Sequence, residues 1–267
     1  MYNLTDLHLH SEYSWDAQQK IKDITDKAGK KNILFAGIAD HIDFFDWHPK
    51  GADKFDYESL TDEIEKSREK FSGLLKGAEV GEPHLFPAEF EKFFRDKKYD
   101  YIIGAVHHVN GETPVYDRYF HSERPVEEGY RAYFNEVRKL AEYGGVDVIA
   151  HLDLVHRRGA NFYKEYSYEK FRDVIEPILE IMVDKKIGLE INASGLRHDA
   201  KNILPGPDTV KAYIEMGGDI ITVGSDAHKH EDTFFGIEKA YEILDSLGVK
   251  EVAVFKDRKA EKIKLRK

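Results

Sequence analysis

Short apolar runs alternate with amphipathic segments along most of the chain. The apolar runs are rich in β-branched residues, which is typical of strands buried on both faces of a parallel sheet. Between them, hydrophobic residues recur at helical spacing, as in 57–74, 126–144 and 168–186. The pattern predicts seven strands, at residues 2–8, 33–40, 74–80, 99–107, 146–152, 187–194 and 219–226.

Strand followed by helix, seven times over, predicts an α/β fold with a parallel sheet. A length of 267 residues fits one closed or nearly closed barrel. We therefore expect a single catalytic domain over residues 1–267. The tail, residues 249–265, differs from the repeat, and we expect one or two short strands there that pack at an edge or close the bottom of the barrel.

Acidic and histidine side chains gather at the ends of the predicted strands. In a parallel barrel the carboxyl ends of all strands meet at one mouth, where catalytic residues lie. Residues two apart on a strand, such as His8 and His10, also point to the same face. The strand ends carry His8 and His10, Asp40 and His41, Glu79, His107 and His108, His151 and Asp153, Asn192, and Asp226 and His228. This clustering favours a metal site over isolated polar residues.

The composition excludes several chemistries. Without cysteine, the chain has no disulfides, no thiolate nucleophile and no cysteine-held metal. Ligation by His, Asp and Glu suits zinc, manganese or iron. A formal charge of −10 argues against a protein that tracks a nucleic-acid backbone. There is no apolar leader and no apolar run of about 18 residues, so we expect a cytoplasmic protein that does not contact the membrane.

The number of candidate ligands indicates more than one ion. A catalytic zinc takes about three protein ligands and a water, whereas eight or nine candidates are present here. A carboxylate such as Glu79 can bridge two ions, and paired metals recur in phosphoester chemistry. We expect two to three divalent metal ions, zinc, manganese or iron, and a small-molecule phosphate ester as the partner. Nothing in the sequence singles out a dimer face.

The order of the motifs resembles the polymerase and histidinol phosphatase (PHP) superfamily. The motifs are HxH at 8–10, DH at 40–41, GxEV at 77–80, GxVH at 104–107, AHLD at 150–153 and SDAH at 225–228. The match extends from His8 to about residue 247 and implies a distorted (β/α)7 barrel with the active site at the C-terminal ends of the strands. Residues 189–197 and 236–255 are similar to the stand-alone histidinol-phosphate phosphatases. Residues 108–125 match no pattern of that family.

The resemblance implies three ligand sets. They are His8, His10, Glu79 and Asp226 for the first metal, Glu79, His107 and His151 for the second, and Asp16, His41 and His228 for the third. Asp16 lies where the family places a ligand, but a helix N-cap is an alternative role for it.

The resemblance also implies the reaction, hydrolysis of L-histidinol phosphate to L-histidinol and phosphate by a hydroxide that bridges two metals. Asp153, His228 and a metal-bound water are candidates for protonating the leaving group. Arginine binds phosphate bidentately, so we expect Arg158 and Arg197 to bind the substrate. His230, Asn192 and Ser194 complete the predicted substrate-binding set.

Three other functions stay open at this point. One is a PHP-type phosphoesterase that acts on nucleotides or another small phosphate ester. Another is an amidohydrolase, which also begins with HxH and ends in an aspartate at a strand end. The third is a metal-loaded binding module without turnover. Proteins with any of these three functions would hold metals, so the compounds that are hydrolysed distinguish the functions and the metal content does not.

Overall fold

Seven parallel strands lie side by side in chain order in the computed structural model of this protein, which describes residues 1–45, 51–121 and 124–267. The strands are β1 (Thr5–Leu9), β2 (Phe35–Ile42), β3 (Leu74–Gly81), β4 (Tyr101–Ala105), β5 (Val148–Ile149), β6 (Gly188–Asn192) and β7 (Ile221–Gly224). The barrel nearly closes where the end of β7 meets β1. There the backbone N–H of Asp226 donates to the backbone oxygen of His8 at 2.7 Å, and the backbone N–H of His10 donates to the backbone oxygen of Ala227 at 3.1 Å. The predicted distorted (β/α)7 barrel is confirmed.

Helices connect the strands around the outside. They are α1 (Ile21–Lys31), α2 (Tyr57–Arg68), α3 (Pro87–Phe94), α4 (Val126–Tyr143), α5 (Val155–Gly159), α6 (Tyr168–Lys185), α7 (Pro207–Glu215) and α8 (Ile237–Ser246). The side chains of Asp56 and Ser167 accept hydrogen bonds from the first turns of α2 and α6, as N-caps do. The helices predicted at 126–144 and 168–186 are confirmed, and the one predicted at 57–74 is shorter, since α2 ends at Arg68. Within the described ranges, no helix combines the length and hydrophobicity needed to cross a bilayer.

The fifth strand is much shorter than the predicted 146–152. Only Val148 and Ile149 are extended, and they pair with β4 and β6. His151 has a φ of 24°, a backbone conformation that is uncommon for a residue with a side chain. This turn ends the strand and directs the His151 ring toward its neighbours at the mouth.

The tail forms an antiparallel hairpin of β8 (Glu251–Lys256) and β9 (Lys259–Lys264). Arg258 in its turn donates to the backbone oxygen of Gly145 at 2.9 Å and pairs with Asp147. Both partners immediately precede β5, so the hairpin lies across the end of the barrel opposite the mouth. The predicted closure of the bottom by residues 249–265 is confirmed.

One tyrosine fills the lower barrel. The Tyr101 ring is fully buried, and its hydroxyl donates to the backbone oxygen of Leu7 at 2.7 Å. Gly37 and Gly77 make room for it, because added Cβ atoms would lie 1.9 Å from the Tyr101 hydroxyl oxygen and 2.3 Å from its Cζ. A side chain at either position would displace the ring.

We predict that Gly37→Ala destabilises the protein by about 3 kcal/mol, because overpacking a rigid core forces rings and backbone to shift. Gly29→Ala is the matched control: it lies in α1, its added Cβ meets nothing within 4 Å, and it is expected to stabilise by up to about 1 kcal/mol. Urea unfolding of the metal-free proteins measures both. Equal midpoints for the two variants would contradict this account of the core.

Candidate metal centre

A cavity of about 540 Å³ opens at the mouth of the barrel, within the size range of small-molecule sites. Seven of the nine predicted ligands line it. The other two, His8 and His10, are fully buried directly beneath. The lining ligands are Asp16, His41, Glu79, His107, His151, Asp226 and His228. The prediction that these residues lie together is therefore confirmed, while their roles as ligands stay predictions.

Glu79 is the centre of the cluster. It lies on β3 and is 1% exposed, and each carboxylate oxygen faces more than one histidine. Oε2 lies 3.2 Å from His8 Nε2, 3.5 Å from His10 Nε2 and 3.0 Å from His41 Nδ1, and Oε1 lies 3.3 Å from His107 Nε2 and 3.0 Å from His151 Nε2. This is the arrangement that a carboxylate shared between metal ions requires.

Among the residues that the structure describes, the candidate ligand atoms form three groups, in each of which they lie within 4.8 Å of one another. The groups are His8, His10 and Asp226; Glu79, His107 and His151; and His10, His41 and His228. The second group is the set implied for the second metal, and the first contains three of the four residues implied for the first metal, without Glu79. The third contains His10 where the resemblance implies Asp16.

Asp16 nevertheless lies beside the third group. Its Oδ2 is 3.3 Å from His228 Nε2 and 3.7 Å from His41 Nε2. The alternative role, an N-cap, does not apply because α1 begins at Ile21 and its N-cap position is Lys20. Burial raises the pKa of Asp16, but His228 and His41 outweigh burial and hold that pKa below its ordinary value.

The donor atoms fit divalent metals. The Nε2 atoms of His8 and His10 are buried and have no hydrogen-bond partner among the described residues, and Glu79 Oε2 is 3.2 and 3.5 Å from them. Two atoms that each lie about 2.1 Å from one tetrahedral ion are about 3.4 Å apart. Buried polar atoms without partners are uncommon, so these nitrogens are poised for a ligand.

Glu79 and His10 have shifted pKa values that suit metal binding. Burial raises the pKa of Glu79, but His8, His41 and His107 outweigh it and hold that pKa well below the ordinary value. Burial lowers the pKa of His10 well below its ordinary value, and His228 and His41 lower it further. Glu79 is therefore an anion, and His10 keeps a neutral ring with a free lone pair, the form in which histidine binds metals.

Hydrogen bonds orient the rings from behind. His10 Nδ1 lies 3.1 Å from Ser14 Oγ, which donates to Asp40 Oδ1 at 2.8 Å. His8 Nδ1 lies 2.5 Å from Glu190 Oε1. Because the second nitrogen of each ring is held, Nε2 is directed toward Glu79. Such outer partners fix the tautomer and orientation of metal-binding histidines.

The two candidate acids lie in different environments. His228 lines the cavity, and its Nδ1 lies 3.1 Å from the backbone oxygen of Asp226, so Nε2 is the nitrogen that faces Asp16. Asp153 is 1% exposed and does not line the cavity; it accepts a hydrogen bond from Tyr166 at 2.9 Å. Burial raises the pKa of Asp153 to about 7.

The predicted substrate-binding residues are spread out. Asn192 and Ser194 are fully buried behind the cluster, where Asn192 donates to Glu190 Oε2 at 3.0 Å. Arg197 donates to the backbone oxygens of Ser225 (2.7 Å) and Asp226 (2.6 Å). It thereby holds the end of β7 in place.

Two further predicted residues lie outside the cavity lining. Arg158 is 41% exposed and pairs with Asp117 and Asp199 at 3.1 and 2.8 Å. His230 is exposed at the surface, and its backbone oxygen accepts from Lys27. The neighbouring arginine, Arg157, does line the cavity. The short helix α5 presents consecutive side chains in different directions, which sequence spacing does not reveal.

Sequence reasoning missed three residues of this region. Arg157 donates to Asp226 Oδ2 at 2.6 Å. Glu82 is fully buried and accepts from the backbone N–H groups of His107 and His108, which orients the end of β4. Glu190 contacts His8. For Glu190 a signal existed, since it lies two residues before Asn192 on a strand that is otherwise apolar.

The chain is similar to proteins of known family. Residues 6–194 match the family described as PHP domain. The "Probable histidinol-phosphatase" of Clostridium acetobutylicum is 30% identical over 253 residues, which cover 92% of this chain and 95% of that protein. The "Probable histidinol-phosphatase" of Thermotoga maritima is 31% identical over 265 residues, which cover 98% and 100%.

A solved structure has the same fold. The histidinol phosphate phosphatase of Lactococcus lactis, crystallised in complex with zinc, L-histidinol and phosphate, superposes with a TM-score of 0.85 at 23% identity and covers 97% of this chain and 99% of that one. The family match over most of the chain, the full-length relatives and the shared barrel agree with one another. This chain belongs to the PHP domain family.

Proposed function

We propose that this protein is a metal-dependent phosphomonoesterase that hydrolyses L-histidinol phosphate to L-histidinol and phosphate. The observation that carries the proposal is the buried carboxylate of Glu79, whose two oxygens are shared among five histidines at the mouth of the barrel. The full-length relatives named histidinol-phosphatase support the choice of substrate.

Two to three divalent ions would be held by the three groups of ligand atoms, with Glu79 between them and Asp16 beside His41 and His228. Zinc suits a site dominated by imidazole nitrogens, and zinc is present in the Lactococcus lactis complex. When bound, such ions lower the pKa of water to supply a nucleophile and draw negative charge from the phosphoryl oxygens. The residues of the chain hold and orient the reactants around them.

Arg157 is the cation best placed to receive a phosphate group. It lines the cavity, its Nη2 already contacts the carboxylate of Asp226, and its Nε is buried without a hydrogen-bond partner among the described residues. Free guanidinium donors beside the predicted ligands would bind phosphoryl oxygens in a fixed geometry. Arg197, which holds the backbone at Ser225 and Asp226, would support this arrangement from behind.

The opening of the cavity suits a small organic ester. Aromatic and aliphatic side chains from several loops line the cavity, among them Trp15, Tyr116 and Leu154. Trp15 and Tyr116 are 43% and 54% exposed, so they offer apolar surface at the entrance for the organic part of a substrate. A cytoplasmic location and the exclusion of nucleic acid remain predictions from the sequence.

We expect the zinc-, manganese- or iron-loaded protein to release phosphate from L-histidinol phosphate at least tenfold faster than from other phosphomonoesters, nucleotides or a phosphodiester. Removal of the metal by a chelator is expected to abolish activity, and added metal to restore it, because the proposal makes the metal ions the activators of water.

The same panel separates the alternatives. Turnover confined to nucleotides or diesters would retain the metal centre but reject histidinol phosphate as the substrate. Hydrolysis of amides and not of phosphate esters would favour the amidohydrolase. Background rates on every compound, with metal binding confirmed, would favour a binding module.

We predict that Arg157→Ala raises the KM for L-histidinol phosphate and the inhibition constant of inorganic phosphate at least tenfold, because a charge-assisted contact to the phosphoryl group is lost. Arg158→Ala is the matched control, because that side chain pairs with Asp117 and Asp199 outside the cavity lining. Steady-state kinetics compare the two. A larger increase in KM for Arg158→Ala than for Arg157→Ala would support the prediction from the sequence that Arg158 binds the substrate.

The proposal assigns His228 to metal binding, so its Nε2 cannot also donate a proton, and the leaving group takes its proton from solvent in the open cavity. We expect Asp153→Asn to leave the ratio of rates on histidinol phosphate and p-nitrophenyl phosphate unchanged, since Asp153 does not line the cavity. The nitrophenolate leaving group needs no proton. A selective loss on the alkyl ester, in the range of about 10² to 10⁴ typical of general acids, would instead identify Asp153 as the acid.

A further inference from the structure

We propose that Glu190 is a positioning residue that holds His8 and His151 in the geometry the metal centre requires, an inference that rests on the proposed function. Glu190 belongs to none of the ligand groups and does not line the cavity. It lies in the middle of β6 and is 1% exposed. Its two carboxylate oxygens contact His8 on β1, His151 just after β5 and Asn192 at the end of β6.

The first oxygen orients His8. Glu190 Oε1 lies 2.5 Å from His8 Nδ1, and both side chains are buried from solvent. A carboxylate can only accept, so the Nδ1 atom must carry the proton. The opposite nitrogen, Nε2, faces Glu79 at 3.2 Å. The contact therefore fixes which nitrogen of His8 keeps its lone pair for a metal.

The second oxygen fixes the other side of the centre. Glu190 Oε2 accepts from the backbone N–H of His151 at 2.8 Å and from Asn192 Nδ2 at 3.0 Å. His151 has a φ of 24°, and a non-glycine residue persists in that region only when its surroundings hold it. One carboxylate thus supports His8 of one ligand group and His151 of another.

The surrounding chain is built to admit this carboxylate. An added Cβ at Gly224 of β7 would lie 2.4 Å from Glu190 Oε1 and 2.4 Å from His8 Cβ. Any larger residue at 224 would therefore push the two partners apart. The absence of a side chain there leaves space for a direct contact between β1 and β6.

A glutamine at 190 cannot replace the glutamate, although it has the same shape. Its oxygen would take the place of Oε2, because the backbone N–H of His151 can only donate. Asn192 cannot turn its amide around, since its Oδ1 accepts from Ser194 N at 3.0 Å. The amide NH₂ would then face His8 Nδ1 and force the proton onto Nε2, which removes the lone pair that a metal needs.

The test is Glu190→Gln, with Glu136→Gln as the matched control. Glu136 is also a buried carboxylate on a histidine, since its Oε1 lies 2.7 Å from His84 Nε2 with the two side chains 8% and 5% exposed. Neither His84 nor Glu136 lines the cavity. The probe is zinc, titrated against a chromophoric chelator, so that the readout does not depend on turnover.

We expect Glu190→Gln to weaken the affinity for at least one zinc ion by tenfold or more, in the range known for outer-sphere partners of metal ligands, and Glu136→Gln to leave all zinc affinities unchanged. Equal zinc affinities in wild type and Glu190→Gln would overturn the inference. If wild type itself binds no zinc or releases no phosphate, the proposed function has failed, which is a distinct result.

A second measurement is made on wild-type protein, in case Glu190→Gln does not fold. In the ¹⁵N spectrum of the zinc-loaded protein, with His8 assigned by its absence from His8→Gln, we expect a protonated Nδ1 and a metal-bound Nε2. A merely structural Glu190 would not set this tautomer. A protonated Nε2 on His8, or metal bound at Nδ1, would reject the role of Glu190 directly.

Discussion

Five histidines from the ends of four strands converge on a single buried carboxylate, Glu79, and the rest of the site is arranged around that contact. A buried anion is costly unless it is paired and hydrogen-bonded. Here its partners are histidine rings, whose nitrogens can also bind metal ions. The barrel makes the convergence possible, because parallel strands bring all of their carboxyl ends to one mouth.

The rings do not orient themselves. Behind His10 lie Ser14 and Asp40, and behind His8 lies Glu190, and both contacts occupy the nitrogen that points away from Glu79. At the end of β4, Glu82 accepts from two backbone N–H groups and so sets the position of His107. These outer carboxylates are as buried as the inner one. The result is a preorganised centre whose ligand atoms already lie at separations that suit a metal.

The fold and much of the site could be predicted from the sequence. Seven apolar runs marked the seven strands, and all nine predicted ligands lie at the mouth of the barrel. The prediction was less accurate where it depended on side-chain direction. Arg158 was expected at the substrate, but Arg157 lines the cavity, because the rotation of a five-residue helix is set by packing and not by its sequence. Asp153 likewise faces Tyr166 and away from the cavity.

The sequence by itself determined the succession of strands and helices, the polar residues at the strand ends and the ligand chemistry, because apolar runs, helical spacing and the absence of cysteine can be read directly from the residues. Only the tertiary structure decided which of these residues share a partner. Glu190 meets His8 from 182 positions away along the chain, and Gly224 leaves space for that contact. Contacts of this kind depend on how distant strands pack around the barrel, and local sequence carries no record of those distances.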